Sequence, residues 1–182
     1  MGWIIPRGIA FTMVMVGLTL GTGAKAQELA MIEAITDWSV YVDVDENQQK
    51  LCFIVSQPTK SVARRNGQAV TVSRGDIRFH ISVMPEQGVA SQPSFLSGYP
   101  LKSDGVVKIA IGSTKFKMFP DTSSHKEYAW TTPADDVALI AAMRKGAEAI
   151  VTGISERGTT TTDYFSLRGF TAAVEKAMDL CK

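Results

Sequence analysis

The sequence predicts a mainly β protein: an antiparallel β-sandwich or barrel-like domain with two helices in its C-terminal half and one disulfide. Three observations support this fold class. Apolar and polar residues alternate through most of residues 38–119, which is the period of half-buried strands. Turn signals such as ARRNGQ, MPEQG and KSDG recur about every ten residues. Two helical patterns then follow, and the second ends in a cysteine.

The N-terminus has the three parts of a secretory signal peptide. Arg7 supplies a positive charge, Gly8 to Leu20 form an apolar run of about 13 residues, and Ala24-Lys25-Ala26 gives the small-x-small pattern of a cleavage site. An uncleaved anchor is the less favoured alternative, because a membrane span needs roughly 20 apolar residues. The sequence therefore predicts a signal peptide over residues 1–26, a single domain over residues 27–182, and no transmembrane segment after cleavage.

Residues 27–37 predict either a short helix or a loose lead-in, and strands follow. In DWSVYVDVD, Trp38 and three alternate valines share one face. The apolar run at residues 51–56 predicts a buried strand that carries Cys52. DIRFHISVM, residues 76–84, alternates most regularly, with Phe79 on the inner face and His80 on the outer face. Residues 106–111 and 115–119 predict a further strand pair joined by a Gly-Ser-Thr turn.

The C-terminal half contains two helical patterns separated by a hairpin. Thr132 as N-cap, Pro133 at the first helical position and Gly146 as the stop predict the first helix. AEAIVTGIS and TTTTDYFSL predict two strands that turn at residues 156–158. The second helix, from about residue 168 to 181, places Phe170 and Cys181 on one side.

Export changes the interpretation of Cys52 and Cys181, the two cysteines of the chain. In an oxidising compartment a cysteine pair is by default a disulfide. A bridge between them would close a loop of about 130 residues, which the loop-entropy relation values at about 5 kcal/mol. Two separate thiols are the alternative. The sequence predicts a disulfide that joins the last helix to the sheet.

The composition argues against nucleic acid as a partner. Removing residues 1–26 takes Arg7 and Lys25 from the 19 basic residues and nothing from the 18 acidic ones, which leaves a net charge of −1. The sequence also contains no dense block of basic residues of the kind that binds nucleic acid.

The sequence predicts no catalytic residue, no cofactor and no metal site. His80 and His125 are too far apart in sequence for zinc-ligand spacing and are interpreted as solvated side chains. The acidic run at residues 43–47 does not continue as a calcium loop, because the required glycine and glutamate are replaced by Gln48 and Ile54. No G-x-S-x-G elbow or phosphate-binding glycine loop is present. The pair at residues 135–136 is explained by helix capping.

Two segments are candidates for recognition. Residues 87–105 predict a long loop, uncharged at its centre, that carries Phe95, Leu96 and Tyr99. Loops on rigid β scaffolds often bind partners, so these three residues form the predicted partner-binding loop. The β-branched row at residues 159–162 predicts a strand edge open to a partner strand. The other aromatic side chains are assigned mostly to the core.

Several stretches together resemble the invasion-associated locus B family of exported bacterial envelope proteins. They are Trp38 ahead of LCFIVSQP, the pair Arg64-Arg65, IGSTKFKMF, Tyr128-Ala129-Trp130, and the block from MRKGAEAIVTGISERG to the closing cysteine. The resemblance spans about residues 37 to 181. It implies a compact β-rich domain in the periplasm or outer envelope of a Gram-negative bacterium, linked in pathogenic relatives with host-cell invasion. It transfers no catalytic residue.

The favoured hypothesis is an exported, non-enzymatic envelope protein that binds a protein partner in the envelope or on a host cell. One alternative is a periplasmic enzyme or small-molecule binder whose site combines dispersed carboxylates with basic residues. A periplasmic chaperone or enzyme inhibitor is a further alternative that the same architecture would serve.

Overall fold

The structure, a computed structural model, describes residues 30–44 and 47–182. The predicted signal peptide and the centre of the acidic run at residues 43–47 lie outside the described residues. In chain order the strands are β1 (Ala30–Ile35), β2 (Trp38–Val44), β3 (Lys50–Ser56), β4 (Lys60–Arg65), β5 (Gln68–Ala69), β6 (Arg78–Met84), β7 (Val89–Leu96), β8 (Val107–Ile111), β9 (Thr114–Pro120), β10 (Tyr128–Trp130), β11 (Glu148–Ile154) and β12 (Thr160–Ser166). A 3-10 turn at Pro85–Gln87 precedes β7, α1 (Pro133–Lys145) precedes β11, and α2 (Phe170–Leu180) follows β12.

The strands form one antiparallel sheet that does not close on itself. Its order is β1-β2-β3-β6-β7-β10-β9-β8-β11-β12-β4-β5. The two halves face one another, because Phe165 of β12 packs edge-on against Phe79 of β6 and Phe95 of β7, with ring centroids 5.6 and 6.2 Å apart. Trp38 Nε1 also donates a hydrogen bond to the carbonyl of Ser166 at 3.0 Å. This arrangement confirms the predicted β-rich class with two C-terminal helices, and it shows an open sheet.

The apolar core lies between the two halves and under α2. The predicted inner faces are buried: alternate residues of β2, β3 and β6 point inward, among them Trp38, Cys52, Ile54, Phe79 and Ile81. The helix α2 covers this end with Phe170, Ala173, Val174 and Ala177.

The disulfide joins Cys52 of β3 to Cys181, directly after α2, across 129 positions of sequence. Both cysteines are buried. The predicted bridge is therefore confirmed, and it fastens the last helix to the sheet.

Three predictions about local structure are wrong. Residues 30–35 are neither helix nor loose lead-in, because they pair with β2 as an edge strand that is mostly exposed and shows no readable alternation. Residues 89–96 are a strand and not a loop. These residues pair with β6 along most of their length, whereas β10 pairs only with residues 94–96, so Pro93 has no partner residue on the β10 side.

The third correction concerns the row at residues 159–162, which is not an open edge. β12 pairs with β11 on one side and with β4 on the other. Because both sides of β12 already carry a neighbouring strand, no further strand can add there.

Candidate functional site

A cavity of about 520 Å³ is lined by both charged and apolar side chains and adjoins the apolar core through Tyr99. The inner face of β12 shows the change of character along one strand: Phe165 belongs to the core, Asp163 is fully buried, and Thr161 lines the cavity. Tyr99 also lines it, with its hydroxyl 2.6 Å from the Thr161 hydroxyl. We call this space the Tyr99 cavity.

A buried ion pair forms the back of the Tyr99 cavity. The Arg74 guanidinium binds both carboxylate oxygens of Asp163, at 2.7 and 2.9 Å, and donates to the carbonyl of Ser97 at 2.9 and 2.6 Å. The Arg74 and Asp163 side chains are 7% and 0% exposed, and Ser61 donates a further hydrogen bond to Asp163 at 2.6 Å. The positive charge of Arg74 is thus neutralised inside the protein by Asp163. The role of the pair is to fix the position of the cavity wall.

Tyr99 is fixed against this wall. The Arg74 guanidinium lies 4.8 Å from the centre of the Tyr99 ring, a cation–π geometry. Burial raises the pKa of the Tyr99 phenol, so its hydroxyl keeps its proton and remains a hydrogen-bond donor. The preceding Gly98 has φ +70°, and a Cβ there would lie 2.6 Å from the carbonyl oxygen of Gly75. Only glycine permits this close approach of the two chain segments.

The rim of the Tyr99 cavity carries further charged side chains. Arg65 donates from Nε and Nη2 to the Thr159 hydroxyl, at 3.0 and 2.6 Å. Arg157, Glu127 and Glu156 also line the space. The Glu156 carboxylate lies 3.7 Å from Lys126 Nζ. Glu156 and Arg157 are adjacent in one turn, but Arg65 and Glu127 come from other segments, so no short motif contains all four.

A second feature is the face of the sheet that points away from the core. Tyr41 stacks on Phe53 at 5.1 Å, the His80 ring lies 6.4 Å from both Phe53 and Tyr128, and Tyr128 stacks on Trp130 at 5.8 Å. Phe119 of β9 pairs with Trp130 in register and is 46% exposed. We call these six side chains the outer aromatic face: Tyr41, Phe53, His80, Phe119, Tyr128 and Trp130.

His80 is not the solvated side chain that its outward position predicted. It lies between aromatic rings, and its buried Nδ1 has no hydrogen-bond partner. Burial, reinforced by the positive charge of Arg78, lowers the pKa of His80 from 6.5 to about 4. The imidazole is therefore neutral at physiological pH. His125 is exposed in a loop, as predicted.

Three lysines adjoin the outer aromatic face. Lys108 of β8 and Lys117 of β9 are directly opposite one another, and Lys115 pairs with Ala110 one step along the same face. All three are exposed. Within the part of the chain that the structure describes, none of them forms an ion pair with a carboxylate. We call them the lysine row.

The residues of the predicted partner-binding loop separate in the structure. Phe95 is fully buried in the core, so it offers no surface to a partner. Leu96 is half-buried opposite Tyr128, at the margin of the outer aromatic face. Tyr99 lines the Tyr99 cavity. Binding through this segment stays a prediction, in which Leu96 and Tyr99 are the residues within reach.

Sequence reasoning missed both features for different reasons. Tyr41, Phe53 and Tyr128-x-Trp130 occupy outward positions in alternating strands, where a solvated face would carry polar residues. Aromatic residues at these outward positions could therefore have predicted the outer aromatic face. The Tyr99 cavity had no comparable signal, because Arg74 and Asp163 are 89 positions apart.

None of the helices in residues 30–44 and 47–182 is long and apolar enough to cross a membrane. In that same part of the chain, no group of three or more histidine, cysteine, aspartate or glutamate side chains is arranged to hold a metal ion.

Comparison with known proteins gives a family and a related fold. No curated protein matches the chain. The crystal structure of invasion associated protein b from Bartonella henselae is similar, with 16% sequence identity, a TM-score of 0.52, and coverage of 83% of this chain and 98% of that one. At this identity the likeness concerns the fold. The model of the family "Invasion associated locus B (IalB) protein" matches residues 38–178, and the chain therefore belongs to the invasion associated locus B family.

Proposed function

We propose that this chain is an exported, non-enzymatic envelope protein that binds a protein partner through its outer aromatic face. Export is supported by the signal-peptide pattern at residues 1–26 and by a disulfide of the kind that persists in oxidising compartments. The periplasm or the outer envelope is the proposed location. Cell fractionation, with a shift in mass that corresponds to loss of residues 1–26, tests this part.

The observation that carries partner binding is the aromatic composition of an outward sheet face. Tyrosine, tryptophan and phenylalanine are enriched at the centres of protein interfaces, where they bury large areas at low conformational cost. Trp130 and Phe119 are neighbours across β10 and β9, and Phe119 is nearly half exposed. Their joint position makes them the proposed centre of the interface.

The lysine row indicates the charge of the partner. Like charges directly opposite one another on neighbouring strands destabilise a sheet, and Lys108 faces Lys117 in this way. An acidic partner surface would remove that repulsion and would align the two proteins as they meet. The proposed partner is thus a protein with an acidic patch beside an apolar one.

Photo-crosslinking tests this proposal in the disulfide-bonded protein. A benzophenone side chain placed at Phe119 is expected to crosslink one envelope or host-cell protein, whereas the same group at Val137, which is 75% exposed on α1, is not. The captured protein is then purified and titrated with variants. Trp130→Ala and Lys117→Glu should weaken binding, and Val137→Ser should leave it unchanged. Reduction of the disulfide should also weaken binding, because it destabilises the fold that presents the surface.

Equal crosslinking at positions 119 and 137, or unchanged affinity of the Trp130→Ala and Lys117→Glu variants, would contradict the proposed surface. A role in host-cell invasion is proposed on the family alone. It requires that a strain producing the Trp130→Ala variant invades cultured cells less well than its parent, with equal amounts of protein in the envelope.

A further inference from the structure

The Tyr99 cavity is a second, separate feature that shares no residue with the outer aromatic face or the lysine row. Its volume of about 520 Å³ falls within the range of small-molecule sites, roughly 300–1,000 Å³. Its wall is fixed by the buried Arg74–Asp163 pair and by the Tyr99–Thr161 hydrogen bond. A wall that is already ordered costs little further entropy when a ligand binds.

The charges that face this cavity do not cancel. Arg74 is neutralised by Asp163, and Glu156 lies beside Lys126. Among the described residues, Arg65 is hydrogen-bonded only to the uncharged Thr159 hydroxyl, through Nε and Nη2, which leaves its Nη1 for a ligand. Arg157 and Glu127 have no ion-pair partner in the described part of the chain. The positive charges of Arg65 and Arg157 and the negative charge of Glu127 therefore remain without a charged partner. Their sum is one positive charge, which suits a ligand with a single negative charge.

The remaining groups indicate what else the ligand carries. The Tyr99 and Thr161 hydroxyls and the Glu127 carboxylate can exchange hydrogen bonds with several ligand hydroxyls. Val72 and Pro100 contribute to the apolar part of the lining, which suits the C–H face of a sugar ring. A doubly charged phosphate is less suitable, because the unpaired carboxylate of Glu127 would repel its second charge.

We propose that the Tyr99 cavity binds a small polyhydroxylated carboxylic acid, the chemistry of a sugar acid, with its carboxylate held by Arg65 and Arg157. The planar guanidinium of Arg157 matches a carboxylate in two-point geometry, and Arg65 can add a single charged hydrogen bond from Nη1. The ligand binds without chemical change. This inference is independent of protein-partner binding, and each can fail while the other stands.

Glucuronate is the probe, and glucuronamide is its uncharged isostere. Isothermal titration of the disulfide-bonded protein should show saturable binding of glucuronate and at least about tenfold weaker binding of glucuronamide, because the charged hydrogen bonds are lost. Arg65→Gln and Arg157→Gln should each weaken glucuronate binding about tenfold. Arg64→Gln is the matched control, since Arg64 is the adjacent residue of β4 and its guanidinium contacts the carbonyl of Gly67.

The outcomes separate clearly. Circular dichroism and the melting temperature first show that each variant is folded. Loss of affinity in the Arg65 and Arg157 variants, with the Arg64 variant unchanged, supports the proposal. No binding of glucuronate, equal binding of glucuronamide, equal affinity in all variants, or displacement of glucuronate by inorganic phosphate at matched concentration would each overturn it.

Discussion

Acidification should destabilise this protein, and one separable contribution comes from His80. In the unfolded chain the imidazole has a pKa of 6.5, and in the folded protein burial and the charge of Arg78 lower that pKa to about 4. Between these two values the unfolded chain binds a proton that the folded protein does not. The free energy of unfolding therefore falls as the pH falls through this window.

The magnitude follows from the size of the shift. A difference of about 2.5 pKa units, at 1.36 kcal/mol each, corresponds to about 3 kcal/mol. This contribution is fully present above pH 6.5 and fully lost below about pH 4. Since small domains have only about 5–15 kcal/mol of net stability, such a loss would be readily measured.

Urea unfolding, followed by tryptophan fluorescence at several pH values across this window, provides the assay. Other groups also titrate in this range, so the quantity to compare is the difference between the parent protein and the His80→Gln variant. That difference should shrink by about 3 kcal/mol as the pH falls. His125→Gln is the matched control, because His125 is the other histidine of the chain and lies exposed in a loop. A pH-independent difference for His80→Gln would refute the reasoning.

Three further predictions concern stability. Replacing Cys52 and Cys181 by alanine should lower the free energy of unfolding by about 5 kcal/mol in urea titrations, from the loss of a loop constraint of 129 positions; a loss below about 1 kcal/mol would contradict the loop-entropy argument. Asp163→Ala should cost about 3–5 kcal/mol by the same measurement, because it leaves a buried guanidinium unpaired, and a cost typical of surface residues would show that the pair is hydrated. Gly169→Ala should lower the melting temperature more than Gly112→Ala: both have positive φ, but only at Gly169 would a Cβ approach a backbone oxygen, at 2.3 Å. Equal effects of the two substitutions would mean that the backbone around Gly169 relaxes to accommodate the added Cβ.

Local patterns in the sequence determined the interior strands and both helices. The alternation in β2 and β6 gives the face of each residue, because successive side chains of a strand point to opposite sides. Pro133 at the first helical position marks the start of α1 by its own backbone chemistry. Gly146 ends α1 in an extended conformation that any residue can adopt, and the nearby Ile111 and Leu167 side chains leave no room for a Cβ there. The two cysteines, taken together with the predicted export signal, predicted the disulfide that the structure confirms.

Several features depended on partners far away in sequence. β7 contains Pro93 and lacks alternation, and it becomes a strand because β6 and β10 align it. The row at residues 159–162 looks like an edge until β4, about 100 positions earlier, pairs with it.

His80 and the Tyr99 cavity show the same limit at the level of chemistry. Alternation placed His80 outward, but its desolvation arises from Phe53 and Tyr128, which come from other strands. Arg74 and Asp163 meet only when the two halves of the sheet face one another. The sequence by itself thus determined the strand faces and the start of α1, which depend on neighbours within a few residues. Only the tertiary structure decided strand order, burial of outward residues and the charged cavity, because these depend on contacts between distant segments.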